Sequence, residues 1–437
     1  MKPAQRESGQ PAPTAVLYRG AVLTPSSAQQ WWSCADAGVL VEGETIRAVA
    51  PIGEFRDVPA TAVHELDGVL LPGFVDVHIH WVQHHVRGRY QDDLLSWLRE
   101  SIWPEEARFA DAARARVLAA AFFADTVRAG TTCGMAYSSP HPAALRIAAE
   151  AMRGDWLLGN AVMETAAPEA LCAAGSAEAE QLEALADALG ARYAVTPRFA
   201  LNCSADTLHA LGELARRREL FIQTHLSESP AEVALVREAF PDALDYTDVY
   251  DRAGLLGPRS VLGHCIHLSQ REYACLRARG AWIAHCPSSN EALDSGRMDL
   301  EAVRRHGIPY ALASDVGAGP SHSMLHVMQR YQAQHAAAGV TVTPQEALYR
   351  ATAAGAQCLG RDAICGRLAP GLRADFALMP RAAAPWRPQA WFDELIRGAP
   401  AELETRPLAT WIAGVRQSSP PPVAGSGVGS IAKRSVF

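Results

Sequence analysis

His78 and His80 stand one residue apart in the stretch Asp76-Val77-His78-Ile79-His80-Trp81, at the end of an apolar run that starts near Val69. In an extended strand alternate side chains share a face, so the two imidazoles project together. Neutral imidazoles paired in this way can ligate Zn²⁺ or a similar borderline cation. Downstream, three more polar residues close apolar runs: His225 in Gln223-Thr224-His225-Leu226-Ser227-Glu228, His264 in Leu262-Gly263-His264-Cys265, and Asp315 in Ala313-Ser314-Asp315-Val316-Gly317. His78, His80, His225 and Asp315 together offer three nitrogens and a carboxylate oxygen. A water would complete an open metal site of the catalytic kind, and zinc would acidify that water toward a pKa of about 7.

For these residues to meet, the elements that carry them must converge. Short β-like runs recur at Val69–His80, Thr131–Ala136, Trp156–Glu164, Arg192–Phe199, Leu220–Ser227, Ser260–Leu268, Ala281–Ser288 and Pro309–Val316, eight in all. Between them lie stretches with apolar residues at helical spacing, such as Ala112–Ala129, Glu178–Leu189 and Ala205–Arg218. Alternation of strand and helix implies parallel βαβ units. Eight units imply a closed (β/α)8 TIM-type barrel, whose catalytic groups stand at the carboxyl ends of its strands. Ala15–Thr24 and Gly38–Pro51 near one end, and Asp375–Pro380 and Ala409–Arg416 near the other, have β-branched, alternating patterns. A small β-sandwich domain built from both chain ends is expected. The division is then 1–70 and 365–416 for that domain, 71–364 for the barrel, and a disordered Ser/Pro/Gly-rich tail at 417–437.

Composition narrows the partners. The 437 residues carry a net charge of −7, which offers no basic footprint for a nucleic-acid polymer. The polar start, Met1-Lys2-Pro3-Ala4-Gln5-Arg6, leads into no apolar core of a signal peptide, and no apolar run approaches the roughly 18 residues of a membrane span. Nine cysteines without zinc-finger spacing suit a reducing compartment, with the cytoplasm expected. Of 40 basic residues only Lys2 and Lys433 are lysines. No lysine is therefore at hand in the folded middle to bridge two metals as a carbamate or to form a Schiff base, and one metal per chain is favoured.

From about Gly68 to Gly371 the chain resembles the mononuclear zinc deaminase branch of the amidohydrolase superfamily, and within it the guanine deaminases. The resemblance is carried by Pro72-Gly73-Phe74-Val75-Asp76-Val77-His78-Ile79-His80 with Gln83 following, and by Leu94-Leu95-Ser96-Trp97-Leu98 leading to Pro104-Glu105-Glu106. It continues through Val195-Thr196-Pro197-Arg198-Phe199, His225-Leu226-Ser227-Glu228, His285-Cys286-Pro287-Ser288-Ser289-Asn290 and Ser321-His322-Ser323-Met324-Leu325. Two departures are Ser96, where that family commonly has Glu, and His322, where an aromatic is usual. The resemblance implies zinc-dependent hydrolysis of guanine to xanthine and ammonia, with a homodimer as the expected assembly. It implies that Glu228 shuttles protons, that Asp315 is both ligand and proton acceptor, and that His264 steadies the attacking oxygen. Arg198 would present its fork to O6 and N7 of guanine, Gln83 would meet another part of the purine edge, and Phe199 would lie against the ring. The substrate contacts expected are thus Gln83, Arg198, Phe199, His225, Glu228 and Asp315.

Other readings stay open at this stage. A related deaminase or chlorohydrolase acting on a pterin or triazine would share the metal set, and a metal-free scaffold protein could use the same barrel. His84, His85, His209, His306 and His335 read as solvent-facing, and His285 as either support for the site or packing. Cys265 and Cys286 read as small buried hydrophobes. The absence of a Cys-x-x-Cys pair argues against the other class of zinc deaminases.

Overall fold

The computed structural model describes residues 15–56, 62–91, 93–175, 177–381 and 385–418. The tail expected beyond residue 417 lies almost wholly outside the described residues. In chain order the strands begin with β1 (Ala15–Pro25), β2 (Trp31–Glu42), β3 (Thr45–Pro51), β4 (Ala62–Pro72) and β5 (Phe74–His80). They continue with β6 (Thr131–Ser138), β7 (Asp155–Asn160), β8 (Ala194–Val195), β9 (Phe221–Leu226) and β10 (Ser260–His264). The last are β11 (Trp282–His285), β12 (Tyr310–Leu312), β13 (Phe376–Pro380), β14 (Ala409–Ile412) and β15 (Val415–Arg416).

Strands from both ends of the chain share one seven-stranded sheet, ordered β15-β14-β13-β4-β1-β2-β3. The β4–β13 ladder, with Leu71 opposite Ala377 and Leu70 opposite Leu378, joins the early strands to the late ones edge to edge. Tyr18, Val22, Val39, Ile46, Phe376 and Trp411 are buried against it. The expected β-sandwich is not confirmed, because the late strands extend the sheet at its β4 edge instead of stacking on its face.

The expected first strand, Val69–His80, is two strands. Gly73 breaks it: its N–H donates to Asp375 O at 3.0 Å, and a Cβ there would overlap the Thr132 side chain. Val69–Leu71 therefore belong to the seven-stranded sheet, and only Phe74–His80 carries the histidines. The fold is mixed α/β, but the expected barrel is not one continuous closed ladder. Its eight parallel strands form an arc of three, β5-β6-β7, and an arc of five, β12-β11-β10-β9-β8.

Side-chain and loop contacts cross the two gaps. Between β7 and β8 run parallel bridges pairing Leu158 with Tyr193 and Val162 with Pro197, and Pro197 has no N–H to extend a ladder. Between β12 and β5, Asp315 N donates to His78 O at 2.9 Å and His80 N to Val316 O at 2.6 Å. There a carboxylate stands in for a ladder carbonyl, since Asp76 Oδ1 accepts from Ser314 N at 3.0 Å and Asp76 Oδ2 accepts from Ser314 Oγ. Among the described residues no helix is long and apolar enough to cross a membrane.

Candidate metal centre and active site

His78 and His80 leave the end of β5, His225 that of β9, His264 that of β10, and Asp315 follows β12. His80 Nε2 and His225 Nε2 are 3.2 Å apart. Asp315 Oδ1 lies 3.3 Å from His78 Nε2 and 3.5 Å from His80 Nε2. Ligands held about 2.0–2.1 Å from a tetrahedral zinc ion stand roughly 3.3 Å from one another, and these three separations match that spacing. His78, His80 and His225 offer ligand atoms within 4.8 Å of one another, and Asp315 does so with His78, His264 and Cys286. Neither His78 Nδ1 nor His80 Nδ1 has a hydrogen-bond partner. His225 Nδ1 is fixed on Arg198 O at 2.7 Å, which turns its Nε2 toward the cluster.

The electrostatics suit a cation. Burial above all, with neighbouring histidines, pushes the pKa of His80 and His225 well below its ordinary value, and burial lowers His78 too. All three are neutral near pH 7, which is the ligating form. Burial alone would raise Asp315, but the His78 hydrogen bond, the His78 and His264 imidazoles beside it and the Ser289 hydroxyl outweigh it and hold the carboxyl below its usual range. Cys286 also borders this cluster. Burial pushes its thiol far up and its Sγ donates to Ala284 O at 3.4 Å, so it stays a protonated neighbour.

Close approach is permitted by Gly263: a Cβ there would come within 2.7 Å of His78 Cε1. Tyr137, on β6, stacks on His80 at 4.4 Å. Ser289 Oγ donates to Asp315 Oδ2, and His264 Nδ1 is held by Asn290 Oδ1 at 2.8 Å. His264 Nε2 then faces Glu228 Oε2 at 3.4 Å and Asp315 Oδ2 at 3.8 Å. Burial and the nearby Asp315 charge push Glu228 up to about 8, and Ser295 Oγ donates to its Oε1 at 3.3 Å. The Glu228 backbone N–H donates to Glu232 Oε2 at 2.8 Å, where Glu232 closes a capping box with Ser229 at the start of helix Pro230–Ala239.

Arg198 and Gln83 meet on a residue not singled out for the site by sequence. Glu106 accepts from Gln83 Nε2 through Oε1 at 2.7 Å and from Arg198 Nη1 through Oε2. Gln83 Oε1 also accepts from Gly317 N at 3.4 Å, so both ends of that amide are already engaged within the protein. Arg198 Nε has no partner. The Phe199 ring lies on His225 at 4.5 Å, backing a ligand. His80, Gln83, Arg198, Phe199, His225, Glu228, His264 and Asp315 nevertheless line one small cavity, with Leu94, Trp97, Leu98 and Ala318 completing its wall.

Of the histidines expected to face solvent, His84 and His335 are buried. The His335 helix, Met324–Ala337, lies against β11, so that His335 Nε2 and His285 Nε2 share a hydrogen bond of 3.1 Å. Glu106, Asn290, Ser289 and Tyr137 were missed as site residues. The only signal for Glu106 was its place in the Pro104-Glu105-Glu106 stretch.

Parallel strands bearing a His/Asp cluster of ligand type at their carboxyl ends have the layout of a hydrolase of the metal-dependent kind, and comparison gives the class its name. The amidohydrolase family model matches residues 69–403, and the chain belongs to that family. Relatives within the family include guanine deaminases. A probable guanine deaminase of Deinococcus radiodurans is 37% identical over 430 residues, covering 91% of this chain and 94% of its own. Guanine deaminase of Escherichia coli is 33% identical over 325 residues, 72% of this chain and 74% of its own. The solved E. coli guanine deaminase structure superposes with a TM-score of 0.84 at 28% identity, covering 93% of this chain and 99% of that one.

Proposed function

We propose that this chain hydrolyses guanine to xanthine and ammonia, using one zinc ion per chain. The observation that carries the reading is the single cavity in which the His/Asp cluster, Glu228 and the Arg198 fork face one another. His78, His80, His225 and Asp315 are the proposed ligands. A zinc ion bound there would supply the Lewis acidity that brings a water's pKa toward about 7.

The chain's own groups do the rest. Arg198, with Nη1 tied to Glu106, directs its remaining donors at O6 and N7 of guanine, while the second hydrogen of the Gln83 amide and the second lone pair of its oxygen meet the purine edge. Phe199 keeps the base against His225. Water oxygen adds to C2 of the base. Glu228 takes one proton from that water and delivers it to ring nitrogen N3, where it stays in xanthine. Asp315 accepts the water's second proton, which passes by way of Glu228 to the departing amine, and His264, held by Asn290, donates to the oxygen that gains charge at C2. The C2–N bond breaks, ammonia leaves and xanthine remains. Burial suits Glu228 to this role, because a carboxyl raised to about 8 can hold a proton near neutrality.

With this reading go a barrel made of the two parallel arcs, a cytoplasmic setting and a homodimer. Nine free cysteines support the reducing setting. Ammonia release from guanine, adenine, cytosine, a pterin and a triazine tests the reading. Guanine should be turned over at least about a hundredfold better than the rest, the discrimination a site built for polar groups can supply. Faster turnover of the pterin or triazine would overturn it.

A further inference from the structure

A second cluster of ligand type lies away from the catalytic one. His84 sits in the turn Trp81–Val86 after β5, His322 in the segment after β12, and Asp125 on the helix Ala112–Arg128. Each offers one ligand atom, and these atoms lie within 4.8 Å of one another. His84 is 4% exposed and His322 2%, yet neither His322 nitrogen makes a hydrogen bond, and beside His84 only the Leu118 carbonyl offers one. Buried polar atoms are ordinarily paired; the buried His285 and His335 have at least their Nε2···Nε2 bond, whereas His322 has none. The His84 and His322 rings are instead 5.8 Å apart, each also 5.8 Å from Phe122.

The surroundings favour coordination. Burial pushes both rings far down, His84 to about 3, so both are neutral and their lone pairs are available near pH 7. The Leu118 carbonyl beside His84 is the kind of acceptor that orients a ligating imidazole. Arg128 pairs with one oxygen of Asp125, leaving the other for a ligand bond, and Arg87 is tied to Glu404 at 3.3 Å. Arg87 is thus matched by a carboxylate outside the cluster, while Arg128 shares Asp125 with it. Asp125, only partly buried, opens the cluster to solvent.

We propose that His84, Asp125 and His322 form a second, non-catalytic site for Zn²⁺ or a chemically close divalent ion. The ion fastens helix Ala112–Arg128 to the segments that follow β5 and β12. The site is independent of the substrate reading, and its test does not depend on turnover.

Full-length protein is dialysed against graded Zn²⁺ buffers, bound metal is counted, and thermal melts are recorded at each concentration. The wild type should bind two equivalents of zinc, the second raising the melting temperature. His322→Phe, which keeps an aromatic ring in place, and Asp125→Asn should each retain one equivalent and deaminase activity. Both should bind the second ion at least about 100-fold more weakly, since even outer-shell changes cost up to that much, and should lose the zinc-dependent rise in melting temperature. His78→Ala should show the reverse, losing the catalytic equivalent and keeping this one. Saturation of the wild type at one equivalent throughout, or two equivalents still held by both His322→Phe and Asp125→Asn, would overturn the proposal. If His322→Phe does not fold, the partly exposed Asp125→Asn decides the matter.

Discussion

Glu106→Gln tests whether a single buried carboxylate aims the guanine-reading groups. The wild-type side chain gives one oxygen to Gln83 and the other to Arg198, and it is completely buried. Glutamine keeps the shape but can keep only one of these bonds. Its NH2 must face either the Gln83 amide or the guanidinium, donor against donor. A hydrogen bond to a charged group contributes about 1.5–3 kcal/mol net, and removing one partner from a buried ion pair costs about 3–5 kcal/mol. The amide oxygen can turn to Arg198 and recover part of that. A net loss of about 2–3 kcal/mol in aiming the fork remains, or roughly 30- to 150-fold in kcat/KM. Initial rates of ammonia release from guanine measure it, beside zinc content and a melt of the same preparation. Metal content should be unchanged, because Glu106 touches none of the proposed ligands, and the melting temperature should fall. A kcat/KM within about threefold of wild type would refute the idea that Glu106 positions the fork. Loss of metal would show instead that Glu106 supports the cluster.

Glu228→Gln should keep its zinc and lose about 10²–10⁴ in kcat, because an amide cannot carry a proton; full activity in a metal-replete variant would move the shuttle elsewhere. Arg198→Met should depress kcat/KM for guanine by about two orders of magnitude or more with metal unchanged, and Arg198→Lys should rescue little, since a point charge lacks the planar fork. Equal losses toward guanine and an aminopurine lacking O6 would make Arg198 a general structural residue. Removing with a chelator the ion held by His78, His80, His225 and Asp315 should abolish turnover, and turnover that needs a second equivalent would contradict a single catalytic ion. Burial pushes His326 and His335 each down to about 4, against about 6.5 unfolded. Between those values the unfolded chain takes up protons that the folded chain refuses. Stability is therefore full above about pH 6.5 and falls toward pH 4, by up to about 1.4 kcal/mol per pH unit for each histidine. Urea midpoints from about pH 7 to about pH 4.5 should show this decline, and a flat profile would count against it.

Much of the strand framework was legible because each parallel strand is a short apolar run bounded by helix or turn signals. The split at Gly73 was not, since Leu71-Pro72-Gly73-Phe74 stays apolar through the junction and the break comes from Thr132 and Asp375, far along the chain. Edge-to-edge joining of β4 and β13 was likewise hidden, because alternation marks a strand's faces but not its neighbours. His78, His80, His225, His264 and Asp315 could be read because each ends an apolar run. Glu106 could not be told from Glu105 by type or spacing. Only tertiary structure turns Glu106 toward Arg198 while Glu105 meets His85 and Arg114. The burial of His84 and His335 was equally invisible, since it depends on which helix or loop face meets another element.

The seam between β5 and β12 bears on how the protein folds. Asp76 and Ser314 are 238 residues apart in sequence, yet their contacts lie within two residues of two of the four proposed ligands, His78 and Asp315. Contacts of such long separation close late and slowly, because the chain entropy they restrict is lost before they give any return. His78, His80 and His225 can be in place while Asp315 is still undocked. Zinc affinity during refolding should therefore rise in two phases, a weak three-histidine phase followed by a tight one that reports arrival of the last strand. Metal capture would then serve as the final fastening of the nascent chain, and a ribosome-bound chain ending before Tyr310 should bind zinc only weakly.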